Sequence, residues 1–361
     1  MRYCEYFLPF FKLLCLVTAV GMTGYWIYKY SKDEDNTSIE YKPIKDSNFV
    51  NLPAMSICFC NPFSITNRTL KNDQNLNLED YQKFLQGEKG LNQMYETISF
   101  DNVTFDILEY LDKITIYKEL SSMDSNITLS CFDPKNCSFV IFSNNINYFY
   151  NGTFKKCFEM KLTKVSSTSV QFIVLEFKET FKRIVRQSGK IFVRFSYPGQ
   201  FLLDFTEDQY LWNDSRDAKT FTTFKLASIE MIRRRNKPRK TCLSESTSYD
   251  GLKLKKAIEN VGCKAPYHNR DYGIAICNDS TKFSMIDVRN IEKVKIPPPC
   301  VEIPQVLFKM TRVWAGRMFG FYPLQIGYPK NIKLIAQHQG LDIHALIGNI
   351  GGYIGLFLGM F

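Results

Sequence analysis

Residues Leu52–Phe63 read LPAMSICFCNPF, an apolar stretch that carries a proline near each end and two cysteines one residue apart. Short apolar runs bounded by turn-forming residues are typical of β-strands. A polar segment, residues 31–51, precedes this strand, and most of the chain follows it. The segments on either side therefore determine the class of the protein.

The cysteines and glycosylation acceptors indicate an oxidising compartment. Nine of the 11 cysteines and all eight N-x-[ST] acceptors lie beyond residue 30. The acceptors are Asn36, Asn67, Asn102, Asn126, Asn136, Asn151, Asn213 and Asn278. Many of both together are typical of a secreted or cell-surface domain. The competing zinc-site interpretation is weak, because only Cys58-Phe59-Cys60 is closely spaced and C-x-x-C and Cys/His pairs are lacking.

Upstream of the strand, Phe7–Tyr28 reads FLPFFKLLCLVTAVGMTGYWIY and is long enough to cross a hydrocarbon core of about 30 Å. Lys12 can snorkel to the headgroups, and the aromatic residues near Trp26 suit a membrane interface. A cleaved signal peptide ending near Ala19-Val20-Gly21 fits the same residues. Either interpretation places the rest of the chain on the extracellular side.

The C-terminal segment Ala345–Phe361 reads ALIGNIGGYIGLFLGMF and is apolar but somewhat short for a full span. Its glycines recur four residues apart, so on a helix they form a strip without side chains, as in membrane helix association. The four-residue pairs are Gly348 with Gly352, Gly351 with Gly355, and Gly355 with Gly359. A buried soluble helix or a glycine-rich strand pair is the alternative.

Between the two apolar ends, the periodicity predicts a mixture of strands and helices. We predict strands at residues 171–177, 190–195, 201–205, 221–230 and 321–326. We predict helices near residues 78–91, 105–120 and 249–261. The prolines of KIPPPCVEIP, residues 295–304, exclude regular helix and predict a rigid extended connector.

The charge pattern and the motifs exclude several classes of function. The net charge is +10, but the 46 basic residues are dispersed among 36 acidic ones, so we expect no nucleic-acid partner. We interpret the basic run 233–240 as a solvated surface loop. H-E-x-x-H, G-x-S-x-G and phosphate-binding glycine loops are lacking, and His268, His338 and His344 have no obvious catalytic companion. We therefore expect no enzyme activity, no metal and no cofactor.

Four motifs resemble the degenerin/epithelial sodium channel (amiloride-sensitive sodium channel) family, in the family's order and over nearly the whole chain. The first is Leu52–Phe63, and the second is Leu129–Cys137, LSCFDPKNC, with the NGTFKKCF that follows. The third is the series of cysteines from Cys242 to Cys300, which resembles the family's thumb. The fourth, Leu346–Gly359, LIGNIGGYIGLFLG, is close to the family's entry to the pore helix.

The resemblance implies an α+β membrane protein in which two transmembrane helices flank a large disulfide-rich extracellular domain with a central β-sheet and peripheral helices. The expected parts are a short cytoplasmic N-terminus, a first transmembrane helix, an extracellular domain with a thumb-like part at about 233–304, and the start of a truncated second transmembrane helix. Their respective boundaries are residues 1–6, 7–30, 31–344 and 345–361. We expect location in the plasma membrane, with both termini cytoplasmic or membrane-embedded.

The resemblance also implies a disulfide map. Its pairs are Cys58 with Cys157, Cys131 with Cys137, Cys242 with Cys300, and Cys263 with Cys277. The last two pairs remain open, because four cysteines allow three connectivities. Cys60 is then left over, as a free thiol or an intersubunit link.

By the same resemblance, the chain is expected to be one subunit of a homo- or hetero-trimeric sodium channel gated through its ectodomain. Gly348 matches a small residue at the pore mouth, where a bulky substitution holds the pore open, although a packing glycine fits equally well. Asn349 lies beside it, Gly352 and Gly355 continue the helix, and Gly359 matches the first residue of the family's Gly-x-Ser selectivity element.

The sequence departs from the family at both ends. Phe361 stands at the selectivity serine position, and no His-Gly gating element precedes the first helix. We therefore expect little or no sodium current from this chain alone. The alternative function is that of a single-pass or secreted cysteine-rich glycoprotein that acts as a binding module.

Overall fold

The computed structural model describes residues 3–43, 52–63, 77–86, 95, 98–119, 126–150, 153–162, 169–201, 209–212, 219–237, 240–244, 248–268, 273–277, 282, 285–286, 288–314 and 321–358. The helices in these ranges are α1 (Tyr3–Ser31), α2 (Leu78–Leu85), α3 (Phe100–Val103), α4 (Phe181–Ser188), α5 (Tyr249–Val261), α6 (Val288–Glu292) and α7 (Ile343–Leu358). The strands are β1 (Asp35–Pro43), β2 (Ala54–Cys60), β3 (Leu111–Glu119), β4 (Asn126–Cys131), β5 (Val140–Tyr150), β6 (Thr153–Leu162), β7 (Ser169–Phe177), β8 (Ile191–Ser196), β9 (Gln209–Trp212), β10 (Thr220–Arg233), β11 (Val301–Trp314), β12 (Phe321–Gly327) and β13 (Asn331–Gln339).

Strand β2, which the LPAMSICFC sequence forms, is buried along its whole length at the centre of a five-stranded sheet with the order β5-β6-β2-β8-β9. Successive side chains of a strand point to opposite faces. Met55, Ile57 and Phe59 accordingly belong to the main hydrophobic core, whereas Cys58 and Cys60 belong to a second core. This one strand therefore separates and anchors both cores of the body.

A second, eight-stranded sheet follows the order β1-β13-β10-β12-β7-β3-β4, with β11 paired to β10. Thr222 of β10 pairs both with β11 and with β12, so these two strands lie on opposite edges of β10. Further along, residues 230–233 of β10 pair in parallel with β13 on the same edge as β12. Strand β10 therefore connects the part of the sheet next to β1 with the part next to β7.

Four disulfides lie within the described residues, and they are the pairs that the resemblance implies: Cys58–Cys157, Cys131–Cys137, Cys242–Cys300 and Cys263–Cys277. Cys58–Cys157 joins β2 to β6 within the five-stranded sheet. The last two close a cysteine-bounded module, residues 242–300, that contains α5 and α6. Cys60 is buried and belongs to none of these four disulfides.

Most of the predicted elements are confirmed. The helix at Tyr249–Val261 has the predicted bounds, and strands occupy the predicted segments near residues 171–177, 190–195, 221–230 and 321–326. The connector at 295–304 is extended, although β11 already begins at Val301. Of the predicted strand 201–205, residues 202–205 lie outside the described residues.

The predicted helix at residues 105–120 is wrong, because β3 occupies Leu111–Glu119. Strand β3 lies between β4 and β7, so both of its edges are hydrogen-bonded. Ile114 and Ile116 point together into the main core. Pairing with distant strands and burial of two β-branched residues outweigh the local pattern that favoured a helix.

We predict that Ile57→Ala lowers the free energy of unfolding by about 2–5 kcal/mol, because Ile57 is fully buried and the substitution leaves a cavity. Denaturant titration of the detergent-solubilised chain measures this change. Ile141→Ala serves as the matched control, because Ile141 is 43% exposed. Equal losses for the two variants would show that β2 is not the central strand.

Candidate functional site at the junction of the apolar helices and the sheet

The two apolar helices α1 and α7 pack against each other. The less exposed side chains of α1 recur at helical spacing and include Cys15, Ala19 and Trp26, as expected for one face in contact with a neighbour. The remaining faces of α1 expose large apolar side chains. Residues Pro9–Ser31 are long and apolar enough to cross a membrane, whereas the apolar part of α7 is shorter.

Both helices leave the body at the same place, because the strands next to them are paired. Strand β1 follows α1, strand β13 precedes α7, and the two are antiparallel with Asp35 opposite Gln339. Gly340 closes the junction, and its amide donates to the carbonyl oxygen of Glu34 at 2.9 Å. A Cβ at position 340 would lie 3.0 Å from that same oxygen, so a larger residue there would push the two strands apart by a few tenths of an ångström.

An ion cluster holds the connection between α1 and β1. The Arg235 guanidinium pairs with Asp33 and, through Nε, with Asp35 Oδ1 at 3.1 Å. The Lys237 ammonium lies 2.9 Å from Asp35 Oδ2 and also donates to the main-chain oxygen of Asp33. Asp33 has φ +50°, a left-handed conformation that is uncommon for a residue other than glycine. Charge pairing therefore fixes the sharp turn that follows α1.

The cluster favours the ionised form of Asp35. Partial burial alone would raise the pKa of its carboxyl, but the nearby Lys237 ammonium and Arg235 guanidinium lower that pKa below the ordinary value of 3.8. A carboxyl with a lowered folded-state pKa stabilises the fold above its ordinary pKa, and this stabilisation is lost as the pH falls through the folded value. Asp35 is therefore ionised at neutral pH.

The same short segment also carries the base of the cysteine-bounded module. Arg234 forms an ion pair with the buried Glu302 and donates through Nη1 to the carbonyl oxygen of Pro299 at 3.0 Å. The disulfide Cys242–Cys300 covalently closes this base. Residues 234–237 thus touch the module on one side and the α1–β1 turn on the other.

The module is also attached to the turn 197–201, through the buried carboxylate of Asp250. Asp250 of α5 accepts a hydrogen bond from the amide of Phe201 at 2.7 Å. Glu159 of β6 accepts from the amide of Gly199 at 2.8 Å, and its pKa is raised by burial. The turn 197–201 is therefore hydrogen-bonded both to α5 and to β6 of the five-stranded sheet.

His268 lies buried where the module packs on β5. Neither ring nitrogen of His268 has a hydrogen-bond partner within the described part of the chain, and the nearby Asn147 amide donates to the carbonyl oxygen of Tyr267 at 3.3 Å. Burial, with a smaller contribution from the charge of Lys264, lowers the pKa of His268 from 6.5 to about 3. Protonation of His268 therefore opposes this packing.

The structure places the predicted pore residues on an open face of α7. Around Gly348, Gly352 and Gly355 no atom lies within 4 Å of the position that a Cβ would occupy. Asn349 is half-buried. Gly359 lies outside the described residues.

The predicted glycosylation acceptors are in differing environments. The side chains of Asn36, Asn102 and Asn136 are exposed, and Asn102 lies on the short helix α3. Asn126 begins β4. Asn67, Asn151, Asn213 and Asn278 lie outside the described residues.

For Arg235 and Lys237, the prediction of a solvated loop is wrong. Both side chains are less than one quarter exposed and pair with carboxylates about 200 positions earlier in the chain. The two acidic partners lie in the polar segment 31–51, for which no contact with the basic run was predicted. The missed signal is the opposite charge of the DED triplet at residues 33–35 and of the basic run.

These features define a mixed α+β protein with one candidate membrane-spanning helix, a large β-rich body and four disulfides. No family model matches the chain, and no curated protein matches it. Among solved structures, it is similar to a cryo-EM structure of a proton-activated chloride channel, at 9% identity and a TM-score of 0.22, over 99% of this chain and 94% of that one. At this TM-score the likeness carries no argument about fold or function.

We predict that Lys237→Gln destabilises the body by about 1.5–3 kcal/mol, because charge-assisted hydrogen bonds to Asp33 and Asp35 are lost. Hydrogen exchange measures the opening free energy of the β1 and β13 amides. Comparison with the free energy of global unfolding shows whether the loss of stability is local to these strands. The matched control is Lys255→Gln, since the Lys255–Glu259 pair is more than half exposed and is worth about 0.3–0.5 kcal/mol. Unchanged exchange in β1 would exclude the proposed role of the cluster.

We predict that lowering the pH from 8 to 5 costs the fold about 2 kcal/mol through His268, because the unfolded state binds a proton more tightly there. This stabilisation is complete above pH 6.5 and decreases as the pH falls toward 3. In His268→Phe the measured pH dependence of unfolding should shrink by that amount. A pH dependence of unfolding in His268→Phe equal to that of the unmodified chain would contradict the prediction.

Proposed function

We propose that the chain is a subunit of a trimeric, sodium-selective cation channel of the degenerin/epithelial sodium channel type. In this proposal it transports sodium ions across the plasma membrane and is gated through its extracellular body. The observation that carries the proposal is the pairing of β1 with β13, because it directs α1 and α7 out of one end of the body, side by side. A ligand or a force can open a pore from outside only if the domain on which it acts is joined to the helices. Here two adjacent helices are joined to one folded domain.

The exposed faces of α1 and α7 support a position in the bilayer. Exposed apolar side chains cover most of α1 and include Leu13, Val17 and Ile27. Lys29 lies over the ring of Trp26 and Lys32 over the ring of Tyr28, as suits side chains at a membrane interface. Such a surface in water would be an aggregation hazard, whereas lipid covers it without cost.

The glycine face of α7 supports assembly with other subunits. Gly348, Gly352 and Gly355 make no contact with α1, so the strip remains available to another helix. Helices in lipid associate through such strips because their backbones can approach closely. The proposal that three subunits assemble rests on the family resemblance alone.

The ion cluster supports gating from the body. Residues 234–237 contact both the module and the α1–β1 turn, so a displacement of the module acts on the first helix through Arg235 and Lys237. Sodium selectivity and block by amiloride rest on the resemblance at Leu346–Gly359. Asn349 supplies the one strongly polar side chain there.

A second candidate function is that of a single-span glycoprotein that binds a partner. It is favoured by one observation: the described α7 has 16 residues and, at about 1.5 Å per residue, falls short of a 30 Å hydrocarbon core. Protease protection in microsomes separates the two candidates. A tag at the C-terminus should be digested in the two-span channel, where it lies on the cytoplasmic side, and protected in the single-span glycoprotein, where it lies in the lumen.

We predict that Gly348→Val increases the amiloride-blocked sodium current of oocytes that express the chain together with a conducting subunit of the same family. The reason is that a branched side chain at the pore mouth opposes closure of the helices. Two-electrode voltage clamp measures the current.

The matched control is Gly24→Val, because Gly24 has equally open surroundings but lies on α1 and not at the predicted pore mouth. It should leave the current unchanged. Equal currents from both variants and the unmodified chain, or failure of the chain to cross-link into a trimer, would refute the channel proposal.

A further inference from the structure

A cavity of about 350 Å³ opens at the rim of the eight-stranded sheet, beside the loop that Cys131–Cys137 closes. Its volume falls at the low end of the roughly 300–1,000 Å³ that ligand pockets occupy. The lining combines apolar, acidic and basic side chains: Leu108, Glu109, Leu111, Asp112, Phe132, Asp133, Pro134, Lys135 and Lys178. None of these residues belongs to the junction described above.

Phe132 is the unusual member of this lining, because its side chain is 77% exposed. The ring lines the cavity and offers an apolar surface beside its charged groups. The loop is rigid because a disulfide joins its ends and because Asp133 accepts from the amide of Lys135 at 3.1 Å. The Lys113 ammonium lies 5.1 Å from the centre of the Phe132 ring, which leaves the ring partly uncovered.

A covalent attachment point stands at the edge of the same cavity. Asn136, in the acceptor sequence Asn136-Cys137-Ser138, has an exposed side chain whose Nδ2 donates to Asp133 Oδ2 at 2.7 Å. Asp133 itself lines the cavity. A group bonded to Nδ2 would therefore start next to Asp133, which lines the cavity together with Phe132.

The chemistry of the lining suits a sugar. The carboxylates of Glu109 and Asp112 can accept hydrogen bonds from hydroxyl groups, and the ammonium of Lys135 can donate to ring and hydroxyl oxygens. The exposed ring of Phe132 offers an apolar surface to the C–H face of a pyranose. A strongly charged ligand fits less well, because the lining contains both carboxylates and lysine ammonium groups.

We propose that this cavity binds the first N-acetylglucosamine of an N-glycan attached to Asn136. The proposal rests on the extracellular position of the body in the proposed function. In the attachment step, Nδ2 forms a bond to the anomeric carbon of a lipid-linked oligosaccharide, loses one proton, and the lipid pyrophosphate leaves. One hydrogen remains on Nδ2, so its hydrogen bond to Asp133 persists in the product.

The test uses the full chain from a secretory host, treated under native conditions with an amidase that cuts the Asn–sugar bond. Site-resolved mass spectrometry follows release of the glycan at Asn136. Phe132→Ala should accelerate release by roughly tenfold, because the sugar then loses its apolar contact. Asp112→Asn, which leaves the ring in place, should accelerate it less.

Trp314→Ala is the matched control, since Trp314 is a similarly exposed aromatic residue on β11, outside the cavity lining. It should not change the rate of release at Asn136. Equal rates in all variants, or a bare Asn136 in a chain that carries glycans at other acceptors, would overturn the inference and leave the channel proposal intact. A chain without any glycan would instead refute the extracellular position on which both depend.

Discussion

The hydrogen-bonded pairing of β1 with β13 is the constraint on which the arrangement of the molecule depends. It joins residues about 300 positions apart, so its closure is entropically expensive and requires support from the rest of the fold. That support comes from β10, which pairs in parallel with β13 and is itself paired along its length with β11. The two apolar helices therefore meet only because the whole eight-stranded sheet has formed.

Strand β1 is nevertheless the weakest part of this arrangement. It lies at the edge of the sheet, and two of its largest apolar side chains, Ile39 and Tyr41, are more than half exposed. Its stability must come from backbone hydrogen bonds and from polar contacts such as Ser38 with His338 at 2.9 Å. Elements with few buried apolar contacts open at lower free energy than the core does. The segment next to the first helix is thus the one most easily displaced.

The sequence predicts the elements of the body well where the signal is local. The apolar run at β2, the helix at Tyr249–Val261 and the glycine spacing of α7 all follow from neighbouring residues. The segment that forms β3 was misread as a helix, because its partners β4 and β7 decide its conformation and lie elsewhere in the sequence. The disulfide pairs came from a family resemblance, since spacing alone leaves the module's connectivity open.

The ion cluster shows most clearly what sequence reasoning lacks. The acidic triplet at residues 33–35 and the basic run are both visible, but charged segments are usually solvated, and about 200 residues separate them. They meet because β10 ends beside β13, which holds β1 and hence Asp35. Local sequence preferences therefore do not predict this contact. Only the sheet order brings the two charges together.

A short series of contacts connects the module to the helices. Two disulfides restrict its internal motion, so a force on it is transmitted to its base rather than absorbed. At that base, Arg234 is tied to the module, whereas the next residue, Arg235, is tied to the turn after α1. Adjacent residues of an extended segment point in opposite directions, so a single peptide unit joins the two attachments. The covalent part of the route is fixed, and the ionic part is the one that a change of conformation would break.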